Sequence, residues 1–358
     1  MSNLLGSDPT NKALDYRRVH VYQLKGFKRM RTFVYLPSTY SAQLAFMFGS
    51  MVCWGSWANT VKLTPGWRFQ SFYWDYVIGV LLGSFLWGLG LGGGSQFLHG
   101  MRTASGTAIL LAVVAGIVFN AANQLLVAAI DLAGLAVAFP MAIGLALVVG
   151  VLLNYLLAPA ANPVLLFTGV VLVAVATLVD AIAYRRRERE KPAISRVGIF
   201  VTLISGLLMG GFYPILTRAM QGPSSLDAYT VVPFFAAGLT LCALPVNCWM
   251  MRRPMVGAPV SFSNYLGAKT SWHLWGIIGG IVWGSGLQFN LAASRAQLVG
   301  PAVSYALGQG ATMISAAWGV FIWREFRDAP RGTGRLLVLM FLFFIAGLGL
   351  IALAPAWH

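Results

Sequence analysis

Acidic side chains are the scarcest chemistry in this sequence: ten Asp and Glu among 358 residues, against 25 Lys and Arg. Charged residues of both signs make up only 10% of the chain, while 58% is hydrophobic and the mean hydropathy is +0.73. Soluble domains are about a quarter charged and about half apolar. So little charge cannot cover a water-facing surface, which excludes an ordinary soluble domain. Cysteine is equally sparse. Cys53, Cys242 and Cys248 are odd in number and lack CxxC or His-rich spacing, which excludes a disulfide framework and a zinc site. The four histidines, His20, His99, His273 and His358, lie in polar stretches or near the ends of apolar runs. An enzyme working inside the bilayer would need a nucleophile with its base, or a metal cluster, at depth. The glycine run from Gly88 to Gly94 is not followed by Lys-Ser/Thr, so it is no phosphate-binding loop and ATP-driven transport has no support.

Long apolar runs fill the space that charge leaves. A window of about 19 residues marks ten of them, at 41–61, 70–92, 106–129, 132–157, 163–184, 195–218, 228–249, 272–293, 297–323 and 335–355. Each has the length of a helix that crosses a bilayer. The expected fold is therefore all-α: a polytopic membrane protein of ten transmembrane helices, with a basic tail over 1–40, five helices over 41–184, a basic connecting loop over 185–194 and five more helices over 195–355. Forty glycines and twelve tryptophans fit that solvent, since small residues let membrane helices approach and Trp gathers at interfaces.

The formal net charge of +15 lies between the runs rather than along one face, in Lys12 to Arg31, Arg185 to Arg196 and Arg324 to Arg335. That is topology charge and excludes nucleic acid as a partner. With the loop after the fifth run inside, nearly all other loop Lys and Arg fall inside too and both termini face out. The tail's basic residues oppose this arrangement; a start at Met30 removes all but Arg31, and the alternative places both termini inside. No cleavable signal pattern precedes the first run, which must serve as its own insertion signal. A bacterial inner membrane is the expected location.

The two halves read as repeats, the mark of an inverted transporter architecture. Ile117-Val118-Phe119 through Gln124 to Ala128-Ala129 aligns with Ile281-Val282-Trp283 through Gln288 to Ala292-Ala293. Gly134 to Gly144 aligns with Gly300 to Gly310, Gly55-Ser56-Trp57-Ala58 with Gly211-Phe212-Tyr213-Pro214, and Asp75-Tyr76 with Ala228-Tyr229. The pairs Gly79/Gly83 and Gly206/Gly210 are GxxxG steps suited to close helix crossing.

Polar side chains in a bilayer core are costly and tend to face a cavity. Asn120, Asn123 and Gln124 fall at i, i+3 and i+4, on one helical face. Gln288 and Asn290 lie in the matching run of the second half. Amides donate and accept hydrogen bonds without needing a counter-ion, which suits a sugar hydroxyl, a ureide or a nucleobase edge; interhelical bonding is their other role. Trp54, Trp57, Tyr76, Tyr213 and Tyr229 offer stacking walls, with packing or interface anchoring as the alternative. Asn59 extends the set toward a cavity mouth, and Tyr305 and Gln309, four apart in the ninth run, complete it. No carboxylate occupies the middle of a run: Asp131, Asp180 and Asp227 lie near run ends, and Glu325 follows the ninth run. Asp75, beside Trp74 and Tyr76, is the candidate proton-coupling group, with helix capping as its other role.

Gly286-Leu287-Gln288-Phe289, Ser304-Tyr305-Ala306-Leu307-Gly308-Gln309, Trp318-Gly319-Val320 and Trp323-Arg324-Glu325-Phe326-Arg327 resemble the corresponding stretch of ureide permeases. Leu152-Leu153-Asn154-Tyr155-Leu156-Leu157, Tyr73-Trp74-Asp75-Tyr76 and Gly55-Ser56-Trp57 are similar to the same family. Its superfamily, the drug/metabolite transporters, includes rhamnose/proton symporters and bacterial glucose uptake proteins as more distant cousins. The resemblance implies a permease in the lipid bilayer that takes a small neutral polar solute, a ureide, nucleobase or sugar, with a proton gradient rather than a cofactor as its drive. A second copy of the chain stands as a candidate partner; a drug exporter and an uncoupled channel stand as alternative functions. Where plant ureide permeases carry a longer central loop with a glycine motif, Arg185 to Arg196 is short.

Overall fold

The computed structural model describes residues 34–187, 195–255, 257–295 and 299–357. The basic tail up to residue 33, the proposed start at Met30 and most of the connecting loop lie outside the described residues. Those described are 79% helix with no strand. Fourteen α-helical segments follow one another among the described residues: α1 (Tyr40–Ser56), α2 (Asn59–Lys62), α3 (Phe69–Leu89), α4 (Ser95–Thr103), α5 (Gly106–Ala133), α6 (Leu135–Leu157), α7 (Pro163–Arg187), α8 (Arg196–Arg218), α9 (Val231–Arg252), α10 (Phe262–Leu266), α11 (Thr270–Ser294), α12 (Gly300–Gly308), α13 (Ala311–Ala317) and α14 (Thr333–Leu353).

Side-chain caps start four of the long helices, Asn162 serving α7 through the amides of Val164 and Leu165. Thr39 accepts from the Ala42 amide at 3.2 Å, Ser105 from Ala108 at 3.2 Å and Ser195 from Gly198 at 3.4 Å, each occupying an amide that the first turn leaves without an intrahelical partner. The turns into α6 and α12 need left-handed backbone and have it at Gly134 (φ 82°) and Gly300 (φ 69°).

Among the described residues, seven helices are long and apolar enough to cross a bilayer: α3, α5, α6, α7, α8, α9 and α14. The other three expected runs depart in informative ways. The first is split into α1, of 17 residues, and α2, with the break at Trp57 and Ala58. The eighth, α11, is a continuous 25-residue helix that carries His273, Gln288 and Asn290 along with several Ser and Gly. The ninth is broken at Gln309 and Gly310 and ends in a wider π-helical stretch, Trp318–Ile322. Two short helices, α4 and α10, fall in stretches that hydropathy leaves as loops.

The helices pack α3 on α11, α5 on α8 and α9, α6 on α7 and α8, α7 on α14, and α1 on α11, α12 and α13. Glycines set the tightest crossings. A β-carbon placed on Gly280 would lie 2.0 Å from the Tyr76 carbonyl oxygen, and one on Gly116 would lie 2.0 Å from that of Phe235. Their partners Gly79 and Gly238 are equally closed, at 2.1 Å from the Ile277 carbonyl and 2.0 Å from that of Val113. Gly169 and Gly347 face each other in the same way across α7 and α14. Backbone meets backbone at these points, the geometry that small residues permit in membrane bundles.

Candidate functional site

The two broken helices converge on one cavity. The break in the first puts Trp57 at its wall, and the break in the ninth puts Gln309 there; at that break the Gly310 amide turns back to the Leu307 carbonyl (2.9 Å) and the Thr312 amide to that of Gln309 (3.2 Å), a tightened 3₁₀-type winding. The cavity holds about 130 Å³. Trp54, Trp57, Phe119, Trp283 and Tyr305 give it aromatic walls, and Asn123, Gln309, Thr312 and Ser315 supply its polar atoms. Among the described residues, no charged side chain lines it. Trp54 is held by a 3.1 Å bond from its indole nitrogen to the Trp283 carbonyl, and the Phe119 and Trp283 rings lie 4.4 Å apart.

Trp57, Phe139, Thr312 and Ser315 also line a second, wider space of about 380 Å³, which makes it a vestibule to the first. Its wall is charged: Lys62, Asp180, Arg187 and Glu325, with Asn59 and Tyr184 among them. Glu325 binds Lys62 through one carboxylate oxygen and Arg187, at 2.7 Å, through the other. Burial opposes its ionisation, but the bonds and charges of Lys62 and Arg187 prevail and hold its carboxyl below the ordinary glutamate range. Asn59 donates to the Ser56 carbonyl at 3.0 Å and accepts from the Trp323 indole at 2.5 Å.

Of the residues that the sequence nominates, Trp54, Trp57, Asn123, Tyr305 and Gln309 line the cavity and Asn59 the vestibule. Tyr76 stands directly behind the wall, its ring 5.0 Å from Trp57 and 6.2 Å from Trp283. Asn120 is fully buried and accepts from the Tyr73 hydroxyl at 2.8 Å, while Asn123 donates to that hydroxyl at 3.2 Å. Tyr213 and Asn290 join at 2.5 Å in a knot with Ser304 and Ser50, behind another part of the wall, where the Tyr213 ring lies 5.0 Å from that of Tyr305. Tyr229 bonds the Tyr35 carbonyl at 2.6 Å, and Gln288 the Ala228 carbonyl at 2.7 Å. Gln124 is buried, and neither of its amide atoms has a hydrogen-bond partner among the described residues. Asp75 is engaged by His273 at 2.7 Å and the Tyr265 hydroxyl at 2.8 Å, in a cluster of α3, α10 and α11.

Sequence reasoning passes over Tyr73, Phe119, Phe139 and Trp283, and takes Asp180 and Glu325 only as residues near span ends. Phe119 and Trp283 carried a signal, because they match in the repeat alignment. Asp180 carries a structural one: it faces the vestibule, and its Oδ1 is buried without a hydrogen-bond partner.

The sequence profile of the Ureide permease family matches residues 193–354. Ureide permease 4 of Arabidopsis thaliana is 24% identical over 91% of this chain and 100% of its own length, and ureide permease 1 of the same plant is 24% identical over the same shares. This chain is ureide permease-like. Ureide permease 5 of A. thaliana reaches 29% identity over 43% of the chain and 39% of its own length. A solved crystal structure superposes on the ureide permease-like chain with a TM-score of 0.57 at 18% identity, covering 87% of this chain and 96% of that one, a likeness of fold alone. The chain is thus a transporter rather than an enzyme, and an integral, multi-pass membrane protein. The curated relatives are plant proteins, so the expected bacterial inner membrane finds no support in them.

Proposed function

We propose that this chain is a secondary active transporter of a small, neutral, flat polar solute such as a ureide or nucleobase, working by alternating access between two inverted five-helix halves. The observation that carries the reading is the cavity of about 130 Å³ at the two helix breaks, aromatic on its walls and uncharged in its polar atoms. It is well below the roughly 300–1,000 Å³ of sites for drug-sized ligands, which favours a small solute over a drug. Stacking walls with a few amides and hydroxyls suit a planar ring with polar edges. The names of the Arabidopsis relatives point the same way.

Several features support ten spans in two related halves. Exchanging the halves turns the α3–α11 contact into α9–α5, and α5–α8 into α11–α1, and all four are present. Gly116 and Gly280, equivalent in the alignment, are the glycines of their helices where a β-carbon would come nearest a neighbouring carbonyl, at 2.0 Å each, and Gly134 and Gly300, also equivalent, share left-handed backbone. Trp57-Ala58, where the first span breaks, matches Tyr213-Pro214, where a proline lies inside the continuous α8. The glycine contacts favour a different register for the second span, pairing Tyr76 with Phe235 rather than with Tyr229.

Coupling to an ion gradient is tested in proteoliposomes bearing an imposed proton gradient, with labelled allantoin, uracil, xanthine and glucose. Accumulation of a planar solute above equilibrium is expected. Equilibration without accumulation identifies a channel and overturns the coupled reading; accumulation of glucose alone favours the sugar-type symporter.

A further inference from the structure

One buried cluster beside the cavity has more hydrogen-bonding capacity than the protein uses. Tyr73 and Tyr76, one turn apart on α3, stack with ring centroids 5.2 Å apart and planes 21° apart. The Tyr73 hydroxyl has a single hydrogen and gives it to Asn120, so it accepts from Asn123. That leaves the second nitrogen hydrogen-bonding group of the pair, Asn120 Nδ2, buried and unpaired, and the Tyr76 hydroxyl is unpaired as well. Gln124, one turn along the same face of α5 from Asn120, adds two more unpaired atoms. Asn123 lines the cavity, and Tyr76 touches the wall residues Trp57 and Trp283 from behind.

Buried polar groups are nearly always paired, and leaving several together unpaired is costly. Four of the eleven buried, unpaired side-chain atoms among the described residues fall in this one cluster, whereas the amide nitrogen and oxygen of Asn290 both find protein partners. Two of the free groups, the Tyr76 O–H and an Asn120 N–H, are donors on residues that touch the cavity's wall or share a hydrogen-bonding partner with its lining residue Asn123. A pair of free donors suits an acceptor with two lone pairs. Resting on the transport reading above, we infer that Tyr76, Asn120 and Asn123 form a hydrogen-bonding subsite of the cavity that takes a carbonyl oxygen of the solute, with Tyr73 as the positioning residue that fixes both asparagines. A carbonyl compound satisfies this subsite; a sugar, offering mostly hydroxyls, fills it less well. Tyr73 orients the two amides through its one hydroxyl and needs no contact with the solute.

The test is a pair of melting measurements on the purified full chain, with and without allantoin or uracil, and with glucose as control. Tyr76→Phe removes a hydroxyl that bonds nothing in the empty protein, so its ligand-free melting temperature is expected to equal or exceed that of the wild type. Its affinity for the carbonyl solute is expected to fall about tenfold, the worth of one uncharged hydrogen bond. Tyr73→Phe is expected to weaken binding in the wild-type background and to add nothing in Asn123→Ala, because it acts through that amide. Unchanged affinity in Tyr76→Phe overturns the subsite, and so does a lowered ligand-free melting temperature, which would mean that the hydroxyl serves the empty protein. A wild type stabilised by glucose alone overturns the carbonyl assignment. A wild type stabilised by none of the three overturns the transport reading and the subsite together.

Discussion

Two groups of buried amides and phenols sit in the same bundle under opposite conditions. In the first, Asn290 accepts from Tyr213, donates to the Ser304 carbonyl at 2.9 Å and reaches Ser50 at 3.4 Å, tying α8, α11, α12 and α1 together. In the second, Tyr73, Tyr76, Asn120 and Asn123 link only α3 and α5 and leave donors free beside the cavity. Composition does not distinguish them. Satisfaction does: a bond that closes within the protein fixes helices, whereas an open one is available to something that enters.

The comparison breaks most readily at Asn290. Asn290→Leu strands several buried partners, each at about 1–3 kcal/mol, and should give the largest fall in melting temperature of any substitution named here. Survival at wild-type stability would mean that the knot holds nothing. Tyr213→Phe should lose about 0.5–1.5 kcal/mol, because the Asn290 side-chain oxygen loses one buried donor but keeps the Ser304 hydroxyl within 3.0 Å. The two aligned glutamines sharpen the contrast further. Gln288→Leu forfeits the bond to the Ala228 carbonyl and should cost about 1 kcal/mol, while Gln124→Leu, which breaks no bond within the protein, should be neutral or stabilising in a thermal melt. Equal losses from both would erase the distinction. The smallest effect belongs to the vestibule. Lys62 and Arg187 are about two-fifths exposed, so Glu325→Gln should cost no more than about 1 kcal/mol at neutral pH. The lowered carboxyl of Glu325 makes its contribution fully present above the ordinary glutamate pKa and removes it as pH falls through the lower folded value. Melting curves of wild type and Glu325→Gln should therefore converge in acid, below about pH 4.

Much of the bundle is legible from hydropathy because the bilayer imposes helix length. Predicted and observed limits of the fifth to eighth runs differ by a few residues, as at 195–218 against Arg196–Arg218. The breaks at Trp57 and Gln309 are not legible, since both sit inside runs that remain apolar on average. The amide face of α5 was visible as a spacing, but nothing in a spacing tells that Asn120 and Asn123 share one Tyr73 hydroxyl while Gln124 bonds nothing. Asp180 and Glu325 were hidden for another reason. They are close to helix ends in sequence, and only the meeting of α2, α7 and the segment after α13 turns those ends into one wall.

The backbone contacts at Gly79 with Gly280 and at Gly116 with Gly238 carry a mechanical consequence. An interface made of side chains can slide by changing rotamers, but where a carbonyl oxygen fills the space of a missing β-carbon there is nothing to re-pack. The α3–α11 and α5–α9 pairs therefore behave as welded struts, and any change of access must carry each pair as a unit. The compliance lies in the two interrupted helices, so the parts of this chain that can bend are the parts that line the cavity.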